Sequence, residues 1–259
     1  MARAHLFEFE DLSWCPRILR EGTTLYLEAV ERMFGVHRLF APKLLRALEA
    51  TGARQIVDMG SGGGGPVRHV VAEVERTLRE PVDVTLTDIF PNERAAKAID
   101  AIGKPNLRYL RKSVNASDPP PGLPGVRSMF ACFHHLKPNL ARAVLERAYR
   151  GRDPICIFEI TDPTPQGIAS CVMMPLYVLL LTPFVRPLTF GQLFFTYVIP
   201  VLPLLISWDG LVSTLRTYTP QDLEEMTRDL RDDSYSWEIG TIAHPVLPVS
   251  FPYIVGVPR

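Results

Sequence analysis

The sequence predicts an α/β fold in which a doubly wound sheet of about seven strands follows N-terminal helices and carries an apolar helical insertion. Three observations support this prediction. Short β-branched segments alternate with segments of helical spacing between positions 53 and 162, a glycine-rich turn follows the first of them, and two strand-like segments close the chain. Strands separated by helices of this length form parallel βαβ units, and a closing pair of strands allows an antiparallel last strand.

The individual elements follow from the spacing of apolar residues. Helices are predicted over Ile18–Phe34 and Leu39–Glu49, ahead of the first strand. Strands are predicted at Gln55–Asp58, Val82–Asp88, Leu107–Leu110, Val126–Phe133, Pro154–Ile160, Tyr235–Ile242 and Val249–Val257. The helices between them are predicted at Val67–Leu78, Asn92–Ile102 and Asn139–Tyr149, with one more opening at Thr219-Pro220.

We expect one domain over 1–259, divided into three parts. An N-terminal helical segment covers 1–52, the sheet core covers 53–162 and 218–259, and an apolar insertion covers 163–217. Because 47% of the residues are hydrophobic and 22% are charged, the chain has enough apolar surface to fold.

Charge and cysteine content narrow the classes of function. The 28 basic side chains balance the 28 acidic ones, so we expect no nucleic-acid partner. The four cysteines have no zinc-ligand spacing, so we expect no metal. Acidic residues stand where the apolar core of a signal peptide would be, which favours a cytoplasmic protein.

The turn Asp58-Met59-Gly60-Ser61-Gly62-Gly63-Gly64 places bare backbone beside a ligand, because it lies between a strand and a helix. Asp58 stands where a dinucleotide-binding fold usually has glycine, and its carboxylate suits a zwitterionic amino acid better than a pyrophosphate. Asp88 ends the second strand, where an acid accepts hydrogen bonds from ribose hydroxyls.

With these residues the chain resembles the class I S-adenosylmethionine-dependent methyltransferases. The resemblance is carried by VDMGSGGGG (57–65), TLTD (85–88), FACFHHL (130–136) and IFEITD (157–162). It implies a Rossmann-like core, S-adenosylmethionine as cofactor, and a methionine end held beside Asp58 while Asp88 takes the ribose. The cofactor-binding residues that it implies are Asp58, Gly60, Ser61, Gly62, Gly64, Asp88, Ile89, Asn115, Ala116 and Phe133. At the adenine end Asn115 replaces the acid of many members.

Two adjacent histidines follow the fourth strand. Because carboxyl ends of parallel strands face the ligand crevice, we expect His134 and His135 to lie near the transferred methyl group. Their surroundings are similar to the region of phenolic O-methyltransferases that carries a general-base histidine, which favours His134 as base and His135 as a positioning residue. The alternative is that His134 caps the following helix or packs against the cofactor.

The insertion contains two long stretches without charge, Ile168–Val185 and Pro187–Trp208, divided by Arg186. Each is long enough to cross a bilayer, but prolines such as Pro175 and Pro203 are expected to interrupt spanning helices. We favour a hydrophobic cap over the substrate. A membrane contact through 168–208 and a homodimer interface remain open.

The predicted substrate-binding residues are Tyr26, Tyr177, Tyr197, Arg216 and Tyr218. The sequence thus predicts methyl transfer to a small, apolar or aromatic acceptor, at oxygen first and otherwise at nitrogen, carbon or sulfur. Three alternatives stay open: a cofactor-dependent cyclisation or rearrangement without methylation, a membrane-associated lipid methyltransferase, and a membrane protein without activity.

Overall fold

The computed structural model describes residues 3–12 and 14–259, so positions 1, 2 and 13 of the predicted N-terminal segment lie outside the described residues. The chain divides into two compact units. The helical unit comprises Met1–Val36, Thr161–Thr217 and His244–Ser250, and the sheet unit comprises His37–Ile160, Tyr218–Ala243 and Phe251–Arg259.

The sheet unit contains seven strands in the order β3-β2-β1-β4-β5-β7-β6. Their bounds are β1 Gln55–Met59, β2 Asp83–Asp88, β3 Leu107–Ser113, β4 Val126–Phe130, β5 Ile155–Phe158, β6 Tyr235–Ala243 and β7 Ser250–Pro258. β1 is parallel to β2 and β4, and β5 is antiparallel to β7. This order confirms the predicted α/β class and its antiparallel last strand. It also places the reversal of strand order between β1 and β4, where doubly wound sheets open a ligand crevice.

The helices of the sheet unit are α2 Val36–Thr51, α3 Gly65–Leu78, α4 Glu93–Ile102, α5 Pro138–Gly151 and α9 Pro220–Thr227. Of these, α3, α4 and α5 follow parallel strands, whereas α2 precedes β1 and α9 precedes β6. Alternation along β4 and β5 gives each face its own core, because successive side chains of a strand point to opposite faces. Met129 and Ile157 belong to a core with residues of α5 and α9, whereas Phe130 and Phe158 stack on each other with ring centroids 5.2 Å apart.

The predicted end of the fourth strand was wrong. The apolar run from Val126 predicts a strand to Phe133, but β4 ends at Phe130 and Phe133–His135 forms a 3-10 turn. Ala131 has a φ of 52°, in the left-handed region that interrupts an extended strand. Periodicity alone does not reveal this break, because the residues that follow it stay apolar.

The helical unit contains α1 Arg17–Met33, α6 Pro165–Leu181, the four-residue α7 Phe190–Leu193 and α8 Val201–Arg216. A 3-10 turn, Thr182–Phe184, extends α6, and a π-helical segment, Phe194–Val198, extends α7. By length and composition, Pro165–Phe184 could cross a membrane, and Phe190–Val198 with Val201–Arg216 forms a second apolar pair that is bent by 87°.

The prolines of this unit interrupt its helices less than expected. Pro175 lies inside α6, which continues past it, and Pro203 occupies the first turn of α8. A proline is tolerated in a first turn because the missing N–H would have no partner there. The prediction that prolines break helices was therefore wrong for Pro175 and Pro203, whereas Pro200 lies at the 87° break between Phe190–Val198 and Val201–Arg216.

A buried ion pair anchors the N-terminal segment within the helical unit. Arg216 at the end of α8 pairs with Glu8 at 3.0 Å, and both side chains are buried. Arg216 Nε also donates to the carbonyl of Leu6 at 2.8 Å, and Asp209 accepts from the backbone N–H of Phe9 at 2.7 Å. α8 thus holds an otherwise irregular stretch of chain through its polar side.

This division differs from the predicted one. The sequence grouped α1 and α2 as one segment, whereas the structure places α1 with the apolar insertion and α2 with the sheet. The reason is packing: Tyr26 and Leu19 of α1 share a core with Leu202 and Val178, while Phe40 of α2 stacks on Phe158.

Arg216→Ala should destabilise the protein by about 3 kcal/mol, because it leaves the buried carboxylate of Glu8 without this cation. The double variant Glu8→Gln/Arg216→Met should recover at least half of that loss, since it removes both charges. Urea unfolding of the two variants and the parent measures both values. Equal losses in the single and double variants would contradict the assignment.

Candidate functional site

The carboxylate of Asp58, at the end of β1, connects three segments of the sheet unit. It is buried, with 2% of its surface exposed. Ser61 of the glycine turn donates to Oδ2 at 2.6 Å, and Ser128 of β4 donates to Oδ1 at 2.7 Å. The structure therefore brings the predicted Asp58 and Ser61 together and adds Ser128, which the sequence did not indicate.

The same hydrogen-bond network includes β2. Thr87 Oγ1 donates to the carbonyl oxygen of Asp58 at 2.9 Å, and the backbone N–H of Ser61 donates to the carbonyl of Thr87 at 2.9 Å. The glycine turn is thus fixed to both neighbouring strands, and its conformation is set before any ligand arrives.

Glycine is required in this turn for two different reasons. Gly60 and Gly64 have φ values of 74° and 78°, in the left-handed region where side chains are strained. A Cβ on Gly60 would lie 2.9 Å from Sγ of Cys132, and one on Gly64 would lie 3.1 Å from a methyl group of Leu86. The backbone at these positions needs both the conformation and the space that glycine provides.

Asp88 lies at the end of β2 and faces the turn. Its Oδ2 accepts from the backbone N–H of Gly62 at 2.8 Å, and its Oδ1 accepts from the backbone N–H of Phe90 at 2.8 Å. Ile89, which lies between Asp88 and Phe90 in the sequence, is exposed. The structure thus brings Asp88 and Gly62 together, and contact between these residues or Ile89 and a cofactor stays a prediction.

Tyr109 on β3 supports the turn from the other side. Its hydroxyl donates to the carbonyl of Gly62 at 3.1 Å and accepts from the backbone N–H of Asn92 at 3.2 Å. Sequence reasoning missed this residue. The only signal in the sequence was its position in the predicted short strand Leu107–Leu110.

The segment after β3 contains the predicted adenine contact. Val114 is tied to β2 by a hydrogen bond from its N–H to the carbonyl of Asp88 at 2.9 Å. Asn115 is exposed, and its Oδ1 accepts from the N–H of Ser117 at 3.0 Å, which closes a local turn. Ala116 is partly buried. Contact between adenine and Asn115 or Ala116 stays a prediction.

Burial gives the Asp58 carboxyl an unusual acidity. Its pKa is raised to about 7, chiefly by removal from water; the hydrogen bonds from Ser61 and Ser128 oppose the rise, and the neighbouring charge of Asp88 adds to it. Burial also raises the pKa of the Cys132 thiol well above its usual value, so Cys132 stays protonated and is a poor nucleophile. A cation beside Asp58 would favour its ionised form.

The chain turns sharply between β4 and the histidine pair. Ala131 adopts the left-handed conformation, and its N–H donates to the carbonyl of Phe158 at 2.8 Å. A non-glycine residue in that region stores strain of about 1 kcal/mol or more, which the surrounding structure offsets. The turn directs Phe133 into the core and places His134 beside the end of β5.

His134 and Glu159 form a buried pair. The Nδ1 atom of His134 lies 2.7 Å from Oε2 of Glu159, and the backbone N–H of His134 donates to Oε1 at 2.8 Å. A carboxylate at this distance accepts from Nδ1–H, so the network assigns the lone pair of the imidazole to Nε2. The ring is thereby held in one orientation and one tautomer.

Glu159 was missed as a functional residue, although it lies in the quoted IFEITD segment. The available signal was an acid directly after an apolar strand, at the carboxyl end of the sheet. What the sequence did not show was its pairing with His134, because the two residues are 25 positions apart.

His135 is exposed, and its ring centroid lies 4.3 Å from that of His134. The two rings are tilted by 33°. His135 therefore shields one side of His134, and its predicted positioning role stays a prediction.

The predicted substrate residues fall in both units. Tyr26 is buried in the core of the helical unit, while Tyr177 and Tyr197 are exposed on it. Tyr197 donates through its hydroxyl to the carbonyl of Leu179 at 2.6 Å. Tyr218 belongs to the sheet unit, where its hydroxyl donates to the carbonyl of Leu136 at 2.8 Å.

Arg216 differs most from its predicted role. The sequence predicts that Arg216 binds an acidic group of the substrate, but the structure pairs it with Glu8 and Asp11 of its own chain. This internal pairing accounts for the buried guanidinium without a substrate. Substrate contacts by the four tyrosines stay predictions.

Comparison with known proteins finds no matching family model and no matching curated protein. Among solved structures, magnesium protoporphyrin IX methyltransferase from Synechocystis with bound SAH is 14% identical, with 89% of this chain and 87% of that chain covered and a TM-score of 0.47. Human N-acetylserotonin methyltransferase in complex with SAM is 11% identical, with 93% and 55% covered and a TM-score of 0.49.

An O-methyltransferase family protein from Burkholderia thailandensis is 15% identical, with 87% of this chain and 57% of that chain covered and a TM-score of 0.48. The chain thus spans just over half the length of the human and Burkholderia proteins. Similarity at this level assigns no activity to this chain.

Asp58→Asn should gain stability relative to the parent as the pH rises. The pKa of Asp58 is raised in the folded state, so its favourable contribution is complete below pH 3.8 and is lost as the pH rises through about 7. Asparagine does not titrate and so removes that loss. We therefore expect the free energy of unfolding of Asp58→Asn, relative to that of the parent, to rise by roughly 2 kcal/mol between pH 5 and pH 7.

Urea unfolding at both pH values measures this difference. Asp83→Asn, which neutralises an exposed carboxylate at the start of β2, controls for the loss of one negative charge. If the Asp58→Asn and parent proteins show parallel pH profiles, burial of Asp58 carries no such cost.

Proposed function

We propose that the sheet unit binds S-adenosylmethionine and that the protein transfers its methyl group to a small acceptor. The observation that carries the proposal is the arrangement of Asp58, the glycine turn and Asp88 at the carboxyl ends of β1 and β2. One carboxylate is buried with a raised pKa, the other accepts from the turn, and bare backbone lies between them.

The residues present fit this cofactor. The positively charged amino group of its methionine part would complement Asp58, whose ionised form is costly without a cation. Asp88 has a carboxylate at the crevice edge that suits a ribose diol, and exposed Ile89 offers an apolar surface to adenine. A Cβ on Gly62 would meet no described atom within 4 Å, so the backbone of the turn is open to a ligand at that position.

The bound cofactor supplies a methyl group that its sulfonium charge already activates. The protein must therefore align an acceptor and, where the acceptor is protonated, remove the proton. His134 suits that task because Glu159 fixes Nδ1, so that Nε2 is the nitrogen that accepts a proton. Glu159 then stabilises the imidazolium that forms, as a buried carboxylate does beside a catalytic histidine.

This arrangement favours an acceptor that carries a removable proton, such as a phenol or another hydroxyl group. We therefore place O-methylation of a small apolar or aromatic molecule first among the acceptors that the site supports. Nitrogen, carbon and sulfur acceptors would use the same alignment and need the base to different degrees.

Cofactor binding is the first test. Isothermal titration of the purified protein should show S-adenosylhomocysteine binding that Asp88→Ala weakens by about tenfold or more, since a charge-assisted hydrogen bond is removed. Asp118→Ala, an exposed acid in the loop before β4, serves as the matched control. An absence of heat at millimolar ligand with the folded parent would overturn the proposal.

The base is tested by turnover. With labelled S-adenosylmethionine and a panel of small phenols, His134→Gln should lower kcat about a hundredfold or more and leave cofactor affinity within about twofold. Glu159→Gln should lower kcat by a smaller factor and shift its dependence on pH, because it acts through His134.

His135→Gln is the neighbouring control and should lower kcat least of the three. Unchanged turnover in His134→Gln would leave that residue a structural role. Conversion of an acceptor without incorporation of label would favour a cofactor-dependent rearrangement over methylation.

A further inference from the structure

The helical unit exposes a large apolar surface on one stretch of chain. It is formed by α6, the 3-10 turn after it, α7 with its π-helical extension, and the start of α8; we call it the apolar face. Its exposed large side chains are Val172, Met173, Leu176, Tyr177, Leu179, Leu180, Phe184, Leu188, Phe190, Leu193, Tyr197, Val198, Ile199 and Leu204. Contiguous exposed apolar surface of this extent marks an interaction site.

The apolar face is not the surface of an ordinary core helix. Over its apolar 18-residue stretch, the helix Pro165–Phe184 is only 22% buried, whereas the core helix of a soluble protein is mostly buried. The hydrophobic composition of this helix is therefore unaccounted for by packing within the described residues.

The occupant must tolerate a long surface without charge. Arg186 is the only charged residue between positions 168 and 208. Interfaces between proteins usually have polar residues at their rim, whereas contact with lipid chains requires no polar residues. The presence of a single charged residue between positions 168 and 208 favours lipid over a protein surface.

Groups at the edge of the apolar face suit the lipid headgroup region. Trp14 and Arg17 are exposed at the start of α1, next to Ile18. A Cβ on Gly191 of α7 would lie 2.6 Å from Ile18 Cδ1, so the start of α1 contacts α7 directly. Tryptophan and arginine are the residues that favour the membrane interface.

The depth of insertion is limited by the polar side of α8. Asp209 accepts from the backbone N–H groups of Phe9 and Glu10, and Arg216 pairs with Glu8. The second half of α8 is therefore occupied by the protein's own N-terminal segment. Together with the 87° bend before α8, this excludes a second straight span built from these residues.

We propose that the apolar face inserts into one leaflet of a lipid bilayer, so that the protein binds a membrane without crossing it. α6 and the segments after it lie in the interface, while Trp14, Arg17 and Arg186 lie at headgroup level. The proposal does not depend on the chemistry of the sheet unit. A bilayer location would bring the protein to apolar acceptors that partition into lipid.

Flotation with preformed vesicles tests the proposal. The full chain, purified without detergent, is mixed with vesicles of phosphatidylcholine and phosphatidylglycerol and centrifuged through a density gradient. We expect the parent to float, and Leu180→Glu and Phe190→Glu each to lower the bound fraction about tenfold, because a charge replaces an inserted apolar group.

Val246→Glu is the matched control, since Val246 is 81% exposed in the helical unit but lies outside the apolar face. It should float like the parent. All four proteins are first checked for S-adenosylhomocysteine binding and circular dichroism. A protein that floats but binds no cofactor would refute the proposed function alone, and one that binds cofactor but does not float would refute the membrane proposal alone.

Two other results would overturn the membrane proposal. Light scattering could show a stable dimer that Leu180→Glu and Phe190→Glu dissociate, with no parent protein on vesicles, in which case the apolar face binds a second copy. Alternatively, the chain could be recovered only in detergent and resist extraction from membranes by alkaline carbonate. That result would replace insertion in one leaflet by a spanning hairpin.

Discussion

The hydrogen bonds of the Asp58 carboxylate are the interaction on which the candidate site depends. They join the end of β1 to Ser61 in the glycine turn and to Ser128 in β4, at the point where the order of the strands reverses. Because Thr87 extends the same network to β2, three neighbouring strands and the turn are held in one arrangement. Asp88 contacts the same turn through the backbone N–H of Gly62, so it is placed relative to this network.

Ionising the buried Asp58 carboxyl costs free energy, and a positively charged ligand would lower that cost. The Asp58 carboxylate is buried among strands and accepts hydrogen bonds from the hydroxyl groups of Ser61 and Ser128, and burial raises its pKa to about 7. In the helical unit, by contrast, the buried carboxylate of Glu8 forms an ion pair with Arg216 of the same chain. A buried charge that the protein pairs itself is structural, whereas one held by hydroxyl groups is suited to a charged ligand.

Much of the sheet unit follows from local sequence. The positions of Gly60 and Asp88 and the alternation of helices and strands are set by backbone conformation and by the periods of 2 and 3.6 residues, which act over a few residues. The pairing of His134 with Glu159 is not local, since it needs β4 and β5 side by side and the left-handed turn at Ala131. The sequence therefore predicted the histidine but not the residue that orients it.

For the apolar insertion, the sequence determined that its two long stretches are uncharged, and the tertiary structure determined which of their side chains are buried and which are exposed. An uncharged stretch predicts burial in a protein, in a membrane or against a partner equally well, because the hydrophobic effect is not directional. Only the packing showed that α6 is mostly exposed while Arg216 is taken up by Glu8. The sequence by itself thus determined the strands, the glycine turn and the acids beside it. The three-dimensional structure decided which charges were already paired and which apolar side chains were left for another surface.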